Sequence, residues 1–207
     1  NNLLLRRRKE LDLQDSHAVA NFFRDERPEV VILAAARVGG IQANLTHQAE
    51  FLLENLNIQN SVIHNAHHYG VKQFCFLGSS CIYPKKCSQP MLPEHLMTGP
   101  LENTNEGYAL AKIAGLKLLQ FHSKQYGMKG LSVIPCNLYG SGDSFDPVNS
   151  HVLSALVRKF SEAVINKEQK IILWGTGKAR REFMHVDDCA KAILFLMGCT
   201  MKQDIVN

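Results

Sequence analysis

The sequence predicts an α/β fold: a doubly wound parallel sheet with helices over both faces. Short apolar runs rich in β-branched residues alternate with longer stretches of helical spacing. Those runs are continuous rather than alternating with polar residues, as strands buried on both faces require. Small or polar residues, Gly39-Gly40, Gly78-Ser79-Ser80-Cys81 and Asn137, follow the runs at the carboxyl ends, where such sheets bind ligands.

In order, Leu3-Leu4-Leu5 reads as a strand running into the basic Arg6-Arg7-Arg8-Lys9. Asp15 or Ser16 caps a helix to about Arg27, with Ala18, Val19, Phe22 and Phe23 as its apolar face and Pro28 as its stop. Val30 to Ala35 is a strand buried on both faces. A single helix is expected from about Asn44 to Tyr69, with an apolar seam of Leu45, Ala49, Leu52, Leu56, Ile63 and Ala66, ended by Gly70. That seam suits either the sheet or a second subunit. Gln73 to Leu77 is a second buried strand, and Pro84 to Pro100 a long loop. A helix carrying Tyr108 ends near Tyr126-Gly127. Leu131 to Pro135 forms a third strand, His151 to about Asn166 an amphipathic helix, and Lys170 to Gly175 a short strand and turn. Asp187 and Asp188 open a last helix, where carboxylates suit the positive end of the dipole as well as they suit catalysis.

The charge balance is only mildly basic, +4 over 207 residues, and much of the excess sits in residues 6–9 and in Lys85-Lys86. With no aromatic residues interleaved, such patches fit a phosphate-bearing small ligand better than nucleic acid. The six cysteines show no Cys-x-x-Cys pair and no zinc spacing, so no metal is expected and a reduced, cytoplasmic compartment is the simpler inference. Cys75 and Cys136 read as buried thiols. His64, His67 and His68 have no carboxylate beside them and read as solvated. No apolar run approaches the ~20 residues needed to cross a bilayer.

Tyr108 and Lys112, four apart on a helix, share one face. A cation beside a phenol stabilises the phenolate and brings it towards the range of a general acid. By itself the pair is also compatible with a solvated surface. A serine at a strand end some 30 residues earlier, Ser79, narrows the choice. Ser79, Tyr-x-x-x-Lys, Gly-Ser-Ser-Cys-Ile-Tyr-Pro (78–84), Pro-Cys-Asn-Leu-Tyr-Gly (135–140), Asn-Ser-His-Val (149–152), Trp-Gly-Thr-Gly (174–177), Arg-Arg-Glu-Phe-Met-His-Val-Asp-Asp (180–188) and the 34–40 run resemble the extended short-chain dehydrogenase/reductase family.

The resemblance implies a Rossmann-like NADP-binding domain over 1–140, part of a substrate-binding domain over 141–180 and a return segment over 181–207. It implies an NADPH-dependent enzyme that epimerises GDP-4-keto-6-deoxy-D-mannose at C3 and C5 and then reduces C4. By that similarity Cys81 is the base and His151 the acid, although in isolation they read as an inert thiol and a helix cap. Ser79 and Tyr108 bind the C4 oxygen, and Lys112 holds ribose hydroxyls and depresses the Tyr108 pKa. Arg8 meets the 2′-phosphate of NADP, with Asp12 and Leu13 lining the adenine. Ala35, Ala36 and Arg37 pass beneath the dinucleotide, and Asn137, Leu138 and His151 complete its site. Trp174 and Arg181 contact the nucleotide sugar, joined by Lys159 where the family usually has an arginine, a change that keeps charge and loses the planar fork. A homodimer through helices 44–69 and 107–126 is implied as well.

No Gly-x-x-Gly-x-x-Gly precedes residue 39, so the first strand and the phosphate-binding turn are missing and Leu3 would already lie in the second strand. The expectation is a fragment whose sheet is split into two half-sheets and whose turnover alone is small. Two other readings stay open: a non-catalytic interaction module, and an enzyme acting on another nucleotide sugar, such as a UDP-sugar.

Overall fold

The computed structural model describes residues 3–146, 150–173, 175–199 and 204–207. Its main sheet has four parallel strands, β1 (Val30–Leu33), β2 (Gln73–Leu77), β3 (Lys129–Val133) and β6 (Ile205–Val206), hydrogen-bonded in that order. A parallel pair, β4 (Asn137–Tyr139) and β5 (Phe183–His185), stands beside it.

Side chains on β2 and β3 show the period of two. Phe74 and Phe76 point to one face, where they meet α1 (Ser16–Glu26), α3 (Gln48–His68) and α4 (Glu106–Tyr126) through Val19, Phe23, Val62, Ile63, Ala66, Leu116 and Leu119. Cys75, Leu131 and Val133 point to the other, against Cys189 and Ile193 of α6 (Val186–Gly198). Helices therefore cover both faces, as a sheet of fully apolar strands needs. The ends of α1 follow the sequence signals: the Asp15 carboxylate accepts from His17 N and Ala18 N at 3.0 Å, and Arg27 closes the helix in the left-handed region. Gly127 closes α4 with φ 72°.

Several expectations are corrected. Leu3 to Leu5 form no strand, Leu3 and Leu5 are exposed, and no strand among the described residues pairs with them. The sheet is accordingly one unit with β1 at its edge, not two halves. β1 spans only 30–33 and is half-covered, Val30 and Ile32 being exposed. The helix expected over 44–69 breaks at His47 into α2 (Ile41–Thr46) and α3. Of the expected seam Ile63 and Ala66 are buried and Leu52 and Leu56 half-buried, while Leu45 and Ala49 are exposed; Phe51, Asn55, Gln59 and Val62 join the buried stripe instead. Residues 170–173 form no strand, since Ile172 and Leu173 are exposed without a paired neighbour. Strands β4 and β5 occupy segments that had carried no strand expectation. Cys136 is half-buried, and His67 is not solvated but stacks on Tyr126 at 4.2 Å. His64 and His68 are exposed.

Candidate active site

Strand β2 ends where Gly78 N donates to Val133 O at 2.8 Å, and the chain then tightens into a 3-10 turn over Ser80–Ile82. Ile82 is fully buried, which anchors the turn and leaves Ser79 and Cys81 at the rim. A further 3-10 turn, Asn103–Asn105, feeds α4, whose buried small residues Gly107, Ala109 and Ala111 let it lie close against α3. Tyr108 and Lys112 sit on the same stretch of α4, turned towards the end of β2.

Lys112 is 4% exposed and its Nζ donates to Leu77 O at 2.7 Å, 4.8 Å from the Phe76 ring and 5.8 Å from the Tyr108 ring. Burial lowers its pKa to about 8, opposed by the Cys81 thiolate. The Ser79 hydroxyl favours the ionised form of both the Cys81 thiol and the Tyr108 phenol. Burial pushes the Cys81 thiol up, while Ser79 and the Lys112 charge pull it back. Burial also pushes the Tyr108 phenol up, reinforced by Cys81 and opposed by Ser79. Here the structure departs from expectation: Lys112 does not depress the Tyr108 pKa, because desolvation dominates and the ammonium is turned towards Leu77 O. Ser79, Cys81, Tyr108 and Lys112 thus form one cluster, with a phenol that keeps its proton, a thiol poised between opposing influences and an ammonium at the carboxyl end of β2.

The other candidates lie around or away from this cluster. Ala35, exposed, and Ala36 and Arg37, half-buried, follow β1. Asn55 pins that segment, accepting from Arg37 N at 2.9 Å and donating to Arg37 O at 3.0 Å. Arg37 pairs with Glu54 and lies 4.9 Å over the Phe51 ring, which meets the Tyr108 ring edge-on at 6.4 Å. Arg8 is exposed and 3.7 Å from Asp12, and Leu13 packs on the core. Asn137 and Leu138 lie on β4; Asn137 Nδ2 donates to Glu182 O at 3.1 Å. His151 stands at the N-cap position of α5 (Val152–Ile165) without a side-chain capping bond, and is exposed. Lys159 donates to Ile172 O, and exposed Arg181 donates to Arg180 O at 2.7 Å. Trp174 and Asn149 lie outside the described residues. No group of three metal-ligating side chains is found among the described residues.

A family model described as the NAD dependent epimerase/dehydratase family matches residues 2–207. The chain belongs to that family. It is 53% identical over 196 residues to GDP-L-fucose synthase 1 of Arabidopsis thaliana, covering 95% of this chain and 61% of the relative. Against the GDP-L-fucose synthase of Escherichia coli K12 the identity is 52% over 195 residues, covering 94% and 61%. Thus the chain spans about 60% of the length of the curated relatives it matches. A GDP-L-fucose synthetase from Naegleria fowleri bound to NADP superposes with a TM-score of 0.86 at 32% identity, covering 97% of this chain and 66% of that one.

Five residues of this epimerase/dehydratase family member escaped the sequence reading: Gln48, Phe51, Gln59, Phe76 and Leu77, the last acting through its carbonyl. Their signal was weak but present. Phe51, Asn55 and Gln59 recur every four residues, placing two amides on the buried face of an otherwise ordinary helix.

Proposed function

We propose that this chain carries the catalytic part of a GDP-L-fucose synthase: 3,5-epimerisation and NADPH-dependent 4-reduction of GDP-4-keto-6-deoxy-D-mannose. The observation that carries the reading is the convergence of Ser79, Cys81, Tyr108 and Lys112 at the carboxyl end of β2. Relatives named for that activity support it.

In this reading Cys81 removes the proton beside the ketone. Its thiolate is supported by the Ser79 hydroxyl and by the Lys112 ammonium, which is still mostly charged at neutral pH. Ser79 and Tyr108 donate to the oxygen on which charge develops. Tyr108, held protonated by burial, then passes its proton to the C4 oxygen. His151 as opposite-face acid, and Lys159, Trp174 and Arg181 as nucleotide-sugar contacts, rest on the motif resemblance.

The residues present fit the two ends of a dinucleotide phosphate. Exposed Arg8, only loosely paired with Asp12, offers a guanidinium to a phosphate at one end, with Leu13 beside it. At the other end Lys112 has three donors and gives one to Leu77 O, which leaves two for ribose hydroxyls. Bound there, NADPH supplies the hydride for C4. Ala35, Ala36, Asn137 and Leu138 are assigned to its walls.

The proposal includes the division into 1–140, 141–180 and 181–207, a cytoplasmic setting and a homodimer through α3 and α4. Exposed Leu53, Leu110 and Phe121 on those helices favour the dimer, and sedimentation reads it directly. No helix among the described residues is long and apolar enough to cross a membrane. The functional test is a chimera in which this chain replaces the segment it matches in the Escherichia coli enzyme. Formation of GDP-L-fucose with oxidation of NADPH is expected. A folded, NADPH-binding chimera that makes no product would overturn the proposal.

A further inference from the structure

We propose that Gln59 is a positioning residue for the Tyr108–Lys112 turn, acting through the carbonyl of Ala111. This deepens the functional reading above and rests on it. Gln59 is 2% exposed, and its Nε2 donates to Ala111 O at 2.6 Å. That carbonyl belongs to the peptide whose nitrogen is that of Lys112, so the amide grips the backbone at the base of the lysine side chain. A carbonyl within a helix serves one backbone N–H and has a second lone pair to offer a side chain.

The space around this contact is tight. A Cβ at Gly115, one turn further along α4, would lie 2.5 Å from Gln59 Oε1 and 2.7 Å from Phe76 Cζ. The amide and the Phe76 edge together fill the slot that a side chain at 115 would occupy. The same Phe76 ring lies 4.8 Å from the Lys112 ammonium. Gln59, Ala111, Phe76 and Lys112 therefore form one packed unit, from the middle of α3 to the end of β2. Three turns earlier on α3, Gln48 holds the start of α4, donating to Asn103 O at 2.8 Å and accepting from Gly107 N at 3.1 Å. Helix α3 is thus fastened to α4 by a side-chain amide on each side of Tyr108, and Phe51 touches the phenol ring between them. A leucine in place of Gln59 would fill the same space without gripping Ala111 O. The amide adds a fixed axial register for α4, and register decides where an ammonium on a four-carbon stem meets Leu77 O.

The test uses Gln59→Met and Gln59→Glu in this chain, with circular dichroism for the fold, magnetic-resonance titration of the Lys112 ammonium, and the pH profile of Cys81 alkylation. Folded Gln59→Met is expected to move the Lys112 midpoint by about half a pH unit or more, and Cys81 alkylation at fixed pH by about threefold. Gln59→Glu, whose carboxylate once ionised can only accept, leaves Ala111 O ungripped across the Lys112 titration and is expected not to restore the parent midpoint. In the chimera, Gln59→Met should lower kcat and leave KM unchanged. A folded Gln59→Met with the parent's Lys112 midpoint and alkylation profile would overturn the proposal. So would failure of both variants to fold, since the amide would then serve stability alone. If the chimera with Gln59 intact is inactive while the variant still moves the Lys112 midpoint, the function falls and the positioning role is supported.

Discussion

Lys112 Nζ donates to Leu77 O at 2.7 Å, tying the last peptide of β2 to α4 inside a site that burial has made hostile to charge. Its pKa falls from 10.5 to about 8, so the folded chain releases this proton more readily than the unfolded one. The sign follows: the unfolded state binds more protons between pH 8 and 10.5, and stability from this group rises with pH across that window. At neutral pH the buried ammonium costs about 3 kcal/mol. Lys112→Met is therefore expected to unfold at equal or higher urea concentration at pH 7, with the advantage fading towards pH 10. The same variant in the chimera should lose about 100-fold or more in turnover. Marked destabilisation by Lys112→Met at pH 7 would mean that the bond to Leu77 outweighs the burial.

Gly107 precedes Tyr108, and a Cβ there would lie 2.4 Å from the backbone oxygen of Gln48. Backbone cannot swing aside as a side-chain tip can, so Gly107→Ala must push α4 from α3 at the start of the Tyr108–Lys112 turn. The expected cost is about 1–3 kcal/mol, together with a changed rate of Cys81 alkylation. Gly127→Ala is the control: its φ of 72° is strained for alanine, but no atom lies within 4 Å of the new Cβ. It should cost about 1 kcal/mol and leave Cys81 alkylation at the parent rate. Equal alkylation rates in the two variants would show that the Gly107 contact does not reach the site.

Helix α4, strand β2 and the Asp15 cap were legible because each is decided locally, by helix formers, by a continuous apolar run and by a carboxylate at the right offset. Ser79, Tyr108 and Lys112 were legible as a spacing, since strand end and helix face are both periodic features, whereas Cys81 entered only through the motif resemblance. What could not be read were effects that depend on what lies opposite. Val30 and Ile32 look like any buried strand residues, and their exposure reflects the face they share with Cys75, which α6 covers at β2 and β3 but leaves open at β1. The seam on α3 was drawn through leucines, whereas the structure buries Asn55 and Gln59, whose partners are backbone carbonyls far along the chain. The Tyr108 pKa went the unexpected way for the same reason. A pair of residues on one helix fixes their proximity but says nothing of the desolvation that the rest of the chain imposes.

Cys75, fully buried between β2 and α6, gives the chain an alkaline weakness. Its pKa is pushed from 9.0 up to about 12, first by burial and then by Cys189. The folded state keeps this proton after the unfolded state has lost it, so stability falls as pH rises from 9.0 towards 12, on the order of 1.4 kcal/mol per pH unit. Cys75→Ala removes that slope. Urea denaturation of parent and variant across this range should show the difference between them shrinking or reversing in the variant's favour, because Cys81, Tyr108 and Lys112 contribute alike to both. A constant difference would locate the alkaline loss elsewhere.

At the far end of the α3–α4 pair, His122 provides an acid weakness. It is 9% exposed, its Nδ1 is buried without a hydrogen-bond partner among the described residues, and its ring lies 4.8 Å from that of His67 and 5.4 Å from that of Tyr126. Burial, then His67 and His64, lower its pKa below 6.5. The unfolded chain therefore protonates here before the folded one, and stability from this group is lost as pH falls from 6.5 to the lowered folded value. His122→Phe keeps an aromatic ring against His67 and Tyr126 and carries no proton. Thermal denaturation at pH 8 and pH 5 should show a drop in Tm about 2–4 °C smaller for the variant than for the parent. Exposed carboxylates such as Glu29 titrate identically in both proteins and cancel from the comparison, so an equal drop would clear His122 as the source of the acid loss.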